Sequence, residues 1–430
     1  MLNDKMKILI LSPYDNAELR SHLEFKEYNR HVNFFIKKLG LEGKTSSFKD
    51  VAPWVGNLIA ELEARPDVEI VSVAPHIKLR RKIESFKLGR TTYYYYSSDY
   101  SSVLRLIKNY RLWKVFQNCG RLVRRIADEV KPDVIILFGT ENPIISVPIL
   151  KLTNYPVFCI LQTVYNNPDR AKYSNPSKFK QLLELDILRH VSNFGAGKTH
   201  GELIHKINPY VNVLKYSWPT MRFSDISEPE KRFDFVNFAF SMDSRKGDED
   251  SIRALAIVKK TFPDVTLNIT GGYSPDRKKY LEKIIDELEL NENISFTPFF
   301  ENHDDMLRHV MQSRFAVLPI KLDLVSTTVK EAMFYKMPVV TNATKGTPSL
   351  NKEKTCVLLA EIENVHSLAE KMLQVMQDPN LAELLKKNAH EFIVQQQEAN
   401  GKKIDNLILV LNAICDNKNN QTPIPQELFI

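Results

Sequence analysis

In this 430-residue chain, the stretch Asp323-Leu-Val-Ser-Thr-Thr-Val-Lys-Glu331 has the residue types and spacing that point most directly to chemistry. It lies between the apolar runs Phe315 to Leu318 and Pro338 to Val340, so an acidic residue leaves a strand and a second one follows inside a new helix. Ser326, Thr327 and Thr328 offer N-caps at that helix's start. At about 100° per residue, Thr327 and Glu331 share a helix face, and unpaired N–H groups at the first turn point toward an anion held beyond it. A carboxylate one turn deeper then accepts hydrogen bonds from hydroxyls. A nucleoside diphosphate sugar carries both kinds of group.

Lys246 is the matching cation. It stands beside Gly247, between an expected strand and an expected helix over Asp248 to Lys260, where a lysine reaches phosphates and the glycine relieves the turn. Taken alone, a strand-end Lys-Gly is also an ordinary solvated turn, and an isolated Glu331 is an ordinary surface glutamate. Gly271 and Gly272 close another strand, where they admit a close backbone or nucleotide or simply make a turn. Gly195-Ala-Gly-Lys-Thr199 imitates a phosphate loop, but Ser192 stands where a Walker A motif needs glycine. No closely spaced carboxylate pair or histidine cluster suggests a divalent metal.

These residues need a scaffold that alternates strands and helices, and the sequence supplies one. Lys7 to Leu11, Val68 to Ala74, Val134 to Phe138 and Val157 to Leu161 read as buried strands, separated by helical stretches such as Val55 to Glu63 and Val103 to Val130. After the polar stretch Asp225 to Arg232 the pattern restarts, with strands near Phe235 to Ala239, Thr266 to Thr270, Ile294 to Phe296, Phe315 to Leu318 and Val339 to Thr341. Two doubly wound α/β domains are expected. Helices over Val365 to Met376, Leu381 to Gln395 and Lys402 to Ile414 follow, and the tail from Asp416 onward is expected to be loosely held.

Composition narrows the class. With 43% hydrophobic residues the chain has ample core material, and no run approaches the roughly 18 apolar residues that span a bilayer. The opening MLNDKMKILILSPYD has too short an apolar core for a secretory signal, so the cytoplasm is the expected location. Four cysteines lie far apart, without zinc or disulfide spacing. The net charge of +7 is uneven: thirteen lysines and arginines crowd Lys78 to Arg125, interleaved with Tyr93 to Tyr96, Tyr100, Tyr110 and Trp113. That segment reads as a surface for an anionic membrane, a lipid diphosphate or nucleic acid, or as a solvated helix face.

The order of motifs resembles the retaining glycosyltransferases of family 4 (glycosyl transferases group 1). Asp323 to Glu331, followed by Ala-Met and Pro-Val-Val, looks like that family's paired-glutamate motif, and Phe238 to Gly247 (FAFSMDSRKG) looks like its basic phosphate loop. VTLNITGG (265–272), ISFTPFF (294–300) and FAVLP (315–319) follow in the family's order, and the likeness covers most of residues 233–400. It implies the GT-B fold, two Rossmann-like doubly wound domains facing a central cleft. Residues 1–228 would bind acceptor, 229–400 would bind the nucleotide sugar, and 401–430 would cross back to the N-terminal domain.

The resemblance also implies roles. Lys246 stabilises the departing diphosphate, and Arg245 stands in for a family arginine that is Ser241 here. Asp323 addresses the transferred sugar and Glu331 the ribose, with Gly271, Gly272, Pro298, Phe299, Ser326, Thr327 and Thr328 around the donor. Glu141, in Gly139-Thr140-Glu141, and Gln162 are acceptor-side candidates. The family usually has glutamate at Asp323 and Phe-Gly at Val325-Ser326, which leaves the sugar open. The implied activity is transfer from a nucleotide-diphosphate sugar to a glycan or lipid-linked acceptor with retention of configuration, in bacterial surface polysaccharide synthesis. It needs no metal and no cofactor besides the donor, and it allows peripheral contact with an anionic membrane through Lys78 to Arg125. An epimerase on the same fold, or a basic nucleic-acid-binding module, stays open on sequence alone, with nucleic acid the less favoured partner.

Overall fold

The computed structural model describes residues 5–26, 50–98, 108–172, 177–298, 300, 302–322 and 325–430, with the backbone alone for 108–114 and 171. The chain divides into two units, Met1–Pro219 with Ala399–Ile430, and Thr220–Glu398.

In the first unit, strands β1 (Met6–Leu11), β2 (Val68–His76), β3 (Ile83–Leu88), β4 (Thr91–Ser97), β5 (Val134–Phe138), β6 (Val157–Ile160), β7 (Asn193–Gly195) and β8 (Asn212–Leu214) form one sheet. Their order is β3-β4-β2-β1-β5-β6-β7-β8. All neighbours are parallel except the antiparallel pair β3 and β4. The uninterrupted apolar runs of β1 and β5 follow from cover on both faces. Leu9, Leu11, Ile135 and Leu137 pack with Val123, Ile126 and Ile187 on one side. Ile8, Ile10 and Ile136 pack with Leu58, Leu62, Ile404 and Leu411 on the other. The order reverses between β1 and β5, and in open parallel sheets ligands sit outside the strand C-termini at such a point. Glu141 follows β5 and Gln162 follows β6 at that end.

The basic segment corrects the sequence reading in one respect. Residues 83–97 form the hairpin β3–β4, and alternation sends Tyr93 and Tyr95 to one face and Tyr96 to the other, all buried. Tyr96 donates to the Ile144 carbonyl and Tyr94 to Glu129. These four tyrosines are therefore core and sheet residues and not part of an aromatic surface for an anion. Tyr100, Tyr110 and Trp113 fall where side chains are not described.

The tail also differs from expectation. The last helix runs over Asn400–Asn420, and the chain then returns to β8. Lys215 N–H donates to the Leu428 carbonyl at 2.7 Å, Ile430 N–H to Val213 at 3.2 Å, and Phe429 bridges Leu214. A three-residue edge strand leaves open donors and acceptors, and Ile424, Leu428 and Phe429 bring apolar surface to the same core, so both needs are met together.

In the second unit, β9 (Phe233–Ser241), β10 (Leu267–Gly272), β11 (Ile294–Thr297), β12 (Ser313–Leu318), β13 (Val339–Asn342) and β14 (Leu358–Ala360) form a wholly parallel sheet ordered β11-β10-β9-β12-β13-β14. Helices Asp248–Val258, Pro275–Glu287 and Val365–Gln377 cover one face; His303–Val310, Thr327–Phe334 and part of Pro379–Glu398 cover the other. The reversal lies between β9 and β12, the strands whose loops carry Lys246 and the segment leading to Glu331.

Phe429→Ala should lower the stability of the first unit by about 1–3 kcal/mol, less than a fully buried phenylalanine would. An unchanged urea midpoint for that unit would mean that the tail adds nothing to its stability.

Candidate functional site

The loop after β9 is shaped by one close approach. Gly247 has φ +68°, and a Cβ built there would lie 2.4 Å from the Pro319 carbonyl oxygen and 2.5 Å from Pro319 Cγ. Only glycine fits both the left-handed backbone and the space. The loops after β9 and β12 are further joined by Lys321, whose N–H donates to the Arg245 carbonyl at 3.0 Å and whose ammonium pairs with Asp250 at 2.8 Å. Gly247 opens the helix Asp248–Val258, whose first turn holds Asp248, Glu249 and Asp250 in favour with the helix dipole. Asp248 is buried and held by Arg277, with Nε 3.1 Å from Oδ2.

Within this frame Arg245 and Lys246 part company. Arg245 lies on the Asp243 carboxylate through both Nε and Nη2, with Nε 3.1 Å from each oxygen. Burial alone would raise the Asp243 pKa, but hydrogen bonds and charge from Arg245 outweigh it and hold it below the usual value. Arg245 is thus matched by a carboxylate. The Lys246 ammonium, by contrast, makes no ion pair or hydrogen bond among the described residues, although its backbone N–H donates to the Asp243 carbonyl at 2.9 Å. Burial is the largest influence on it and lowers its pKa; Asp243 pulls it back up, Arg245 pushes it down, and Glu331 pulls it up. The charge of Glu331 is thus felt at Lys246, as the weakest of these influences.

Glu331 lies in the helix Thr327–Phe334 and is only 2% exposed. Its Oε1 is 3.1 Å from His303 Nε2, at the first turn of His303–Val310. Its Oε2 is buried with no hydrogen-bond partner. A buried carboxylate oxygen without a donor costs several kcal/mol in an otherwise well-paired fold. Ser326 stands at the N-cap of the same helix, yet its hydroxyl meets Thr328 Oγ1 at 2.8 Å and caps no backbone N–H. Thr327 and Thr328 follow in the first turn, half-buried.

The other expected residues fall around the same end of the sheet. Gly271, with φ +150°, ends β10 at a register shift, and a Cβ there would lie 2.1 Å from the Ala239 carbonyl oxygen. Its glycine is required by strand β9, whatever ligand lies above. Gly272 meets the Phe240 carbonyl less tightly, and Pro298 is exposed just past β11. Asp323 and Phe299 lie outside the described residues.

Sequence reasoning passed over Lys330. It occupies the first turn of the Glu331 helix, where the helix dipole disfavours a cation, and no described residue pairs with it. Burial lowers its pKa. A lysine beside three hydroxyl residues at a helix start was the available signal. His303 was also passed over, because its partnership with Glu331 joins two separate helices.

In the first unit, Gly139 has φ +74°, and Glu141 folds back over it, with Oε2 2.4 Å from where a Cβ would stand. Gln162 is half-buried on the neighbouring loop. The decoy Gly195 packs against Phe158, and Gly197 opens a helix with free space around it.

Comparison with known proteins fits this geometry. Residues 222–392 match the family model described as glycosyl transferases group 1, within the second unit. A search of curated protein sequences gives no match. Among solved structures, sucrose-phosphate synthase from Thermosynechococcus elongatus is similar at TM-score 0.66 and 13% identity, over 95% of this chain and 100% of that one. The fold is GT-B. The E. coli structure described as trehalose-6-phosphate bound with UDP-2-fluoro glucose is similar at 0.61 and 10% identity, covering 94% and 98%. HepE of Anabaena in complex with UDP and glucose follows at 0.57 and 15%, covering 94% and 99%.

Gly247→Ala should destabilise the second unit by about 1–3 kcal/mol through strain and the clash at Pro319. Equal Tm values for the variant and the original chain would contradict the contact described.

Proposed function

We propose that this chain transfers a sugar from a nucleoside diphosphate sugar to a hydroxyl of a glycan or glycolipid acceptor, with retention of configuration. The observation that carries the reading is the buried, unpartnered Oε2 of Glu331, together with a largely buried Lys246 ammonium without an ion pair among the described residues, on loops at the reversal point of a parallel sheet. A ligand that brings hydroxyls to the first and phosphates to the second meets both needs. The match of this unit to glycosyl transferases group 1 supports the same ligand class.

In this reading Glu331 accepts from the ribose hydroxyls, and His303 holds its other oxygen in place. Lys246 faces the diphosphate, whose charge grows as the glycosidic bond breaks, so its attraction is stronger in the transition state than in the bound donor. Thr327 and Thr328 offer first-turn N–H groups to the phosphates. Arg245, already balanced by Asp243, keeps the loop in shape and adds little net charge. Asp323 addresses the transferred sugar. The proposal assigns no step to a metal ion, and it places the chain's work at the cytoplasmic side of surface polysaccharide assembly, with Lys78 to Arg125 toward anionic lipid.

Lys246→Ala should lower kcat about tenfold to a thousandfold, the scale of a lost electrostatic stabiliser. Glu331→Ala should chiefly raise the donor KM. Steady-state kinetics on folded variants separates these outcomes, and near-normal kcat/KM in both would place the donor elsewhere.

Retention predicts that the anomeric centre of the product has the configuration of the donor. Proton NMR of the product decides it, and an inverted centre would rule the mechanism out.

A further inference from the structure

The first unit holds two carboxylates of opposite character at the C-terminal ends of β5 and β6. Glu184, from the helix Lys178–His190, is 1% exposed and fully served: Thr140 Oγ1 donates at 3.0 Å, Tyr165 N–H at 2.9 Å, Asn166 N–H at 2.9 Å and Asn166 Nδ2 at 2.8 Å. It fixes the loop after β6 against the loop after β5. Glu141 stands next to Thr140, with its Oε2 buried and without a hydrogen-bond partner. Gly139 makes room for it, since any side chain there would occupy the place of Oε2. A buried carboxylate oxygen without a donor, beside a carboxylate with four, is the feature that a binding site leaves for its ligand.

We propose that Glu141 is the anchor of the acceptor: its free carboxylate oxygen accepts a hydrogen bond from a ring hydroxyl of a neutral glycoside. This rests on the glycosyltransferase reading and adds the group that recognises the second substrate. The acceptor binds the ionised form, so binding expels a proton when Glu141 is protonated beforehand.

The surroundings make that protonation physiological. Burial pushes the Glu141 pKa up, and with the charge of Glu184 behind it the value reaches about 7, although backbone N–H groups of residues 140 and 141 and the charge of Arg170 pull it down. Arg170 comes from the helix Pro168–Ala171 and lies over the Tyr165 ring at 4.7 Å. From β6 the facing group is Cys159, whose thiol stays neutral because burial raises its pKa well above the usual value.

Two measurements on the full chain test the proposal. The first needs no ligand. A carboxyl with a pKa of about 7 in the fold and about 4.5 unfolded carries no penalty below the lower value and a growing one as pH rises toward the upper. Glu141→Gln should therefore gain a few degrees of Tm over the original chain between about pH 5 and pH 7.5. Parallel curves would overturn the assigned burial.

The second titrates methyl α-glucoside, methyl α-galactoside and methyl N-acetyl-α-glucosaminide by saturation-transfer NMR. At least one should bind roughly tenfold more tightly at about pH 8 than at about pH 6, in proportion to the ionised fraction. Glu141→Gln should weaken that glycoside and abolish the pH dependence. Tighter binding at the lower pH, equal binding by the variant, or binding of none of the three would each overturn the proposal. The stabilisation of the chain by UDP is read in parallel: its loss would count against the donor site, whereas a failure confined to the glycosides counts against Glu141 alone.

Discussion

The second unit of this protein depends on a single close approach, that of Gly247 to the Pro319 carbonyl. It lets the loops after two neighbouring strands touch, and Lys321 then closes the contact with a backbone hydrogen bond and an ion pair. Without it the helix Asp248–Val258 would start farther from β12, and Lys246 would be carried away from Glu331. A lysine and a glutamate far apart in sequence thus share one field because a residue between them has no side chain.

Most of the elements that place these groups were legible before any coordinates. The strands β1, β5 and β12 are buried on both faces and announce themselves as apolar runs, and β9 does so around its one buried polar residue, Asn237. Lys246 and Glu331 were legible because spacing along the chain locates them, next to a glycine and one helical turn past a row of hydroxyls. What escaped depends on contacts between distant segments. The hairpin β3–β4 hid behind its charges, and its tyrosines look like a sticky surface until alternation sends them inward. Strands β8 and β14 have three residues each, too few to show a period. Glu184 reads as a surface glutamate in its own helix, and nothing local reveals four donors arriving from elsewhere.

The polar residues of the fold divide by whether their needs are met internally. Asp248, Asp243 and Glu184 are satisfied by protein groups, and all three hold loops in shape. Glu331 and Glu141 each retain a buried oxygen with no partner, and the ammonium groups of Lys246 and Lys330 make no ion pair among the described residues while burial lowers both their pKa values. Folding alone would remove such mismatches, because each one costs stability. Those described here cluster at the C-terminal ends of parallel strands, the end where the proposed ligands would lie.

The return of the chain to its first unit has a consequence for the order of events during synthesis. Thr220–Glu398 is an insertion, complete in sequence before the helix Asn400–Asn420 leaves the ribosome, and it has its own sheet and its own core. The earlier unit still lacks Ile404, Leu407 and Leu411 against β1 and the strand-edge partner of β8 at that moment. On this topology the part made second can close first, and the part made first waits for residues 400–430. A truncated nascent chain would therefore expose the apolar face of β1 and β5 while its other half is already native.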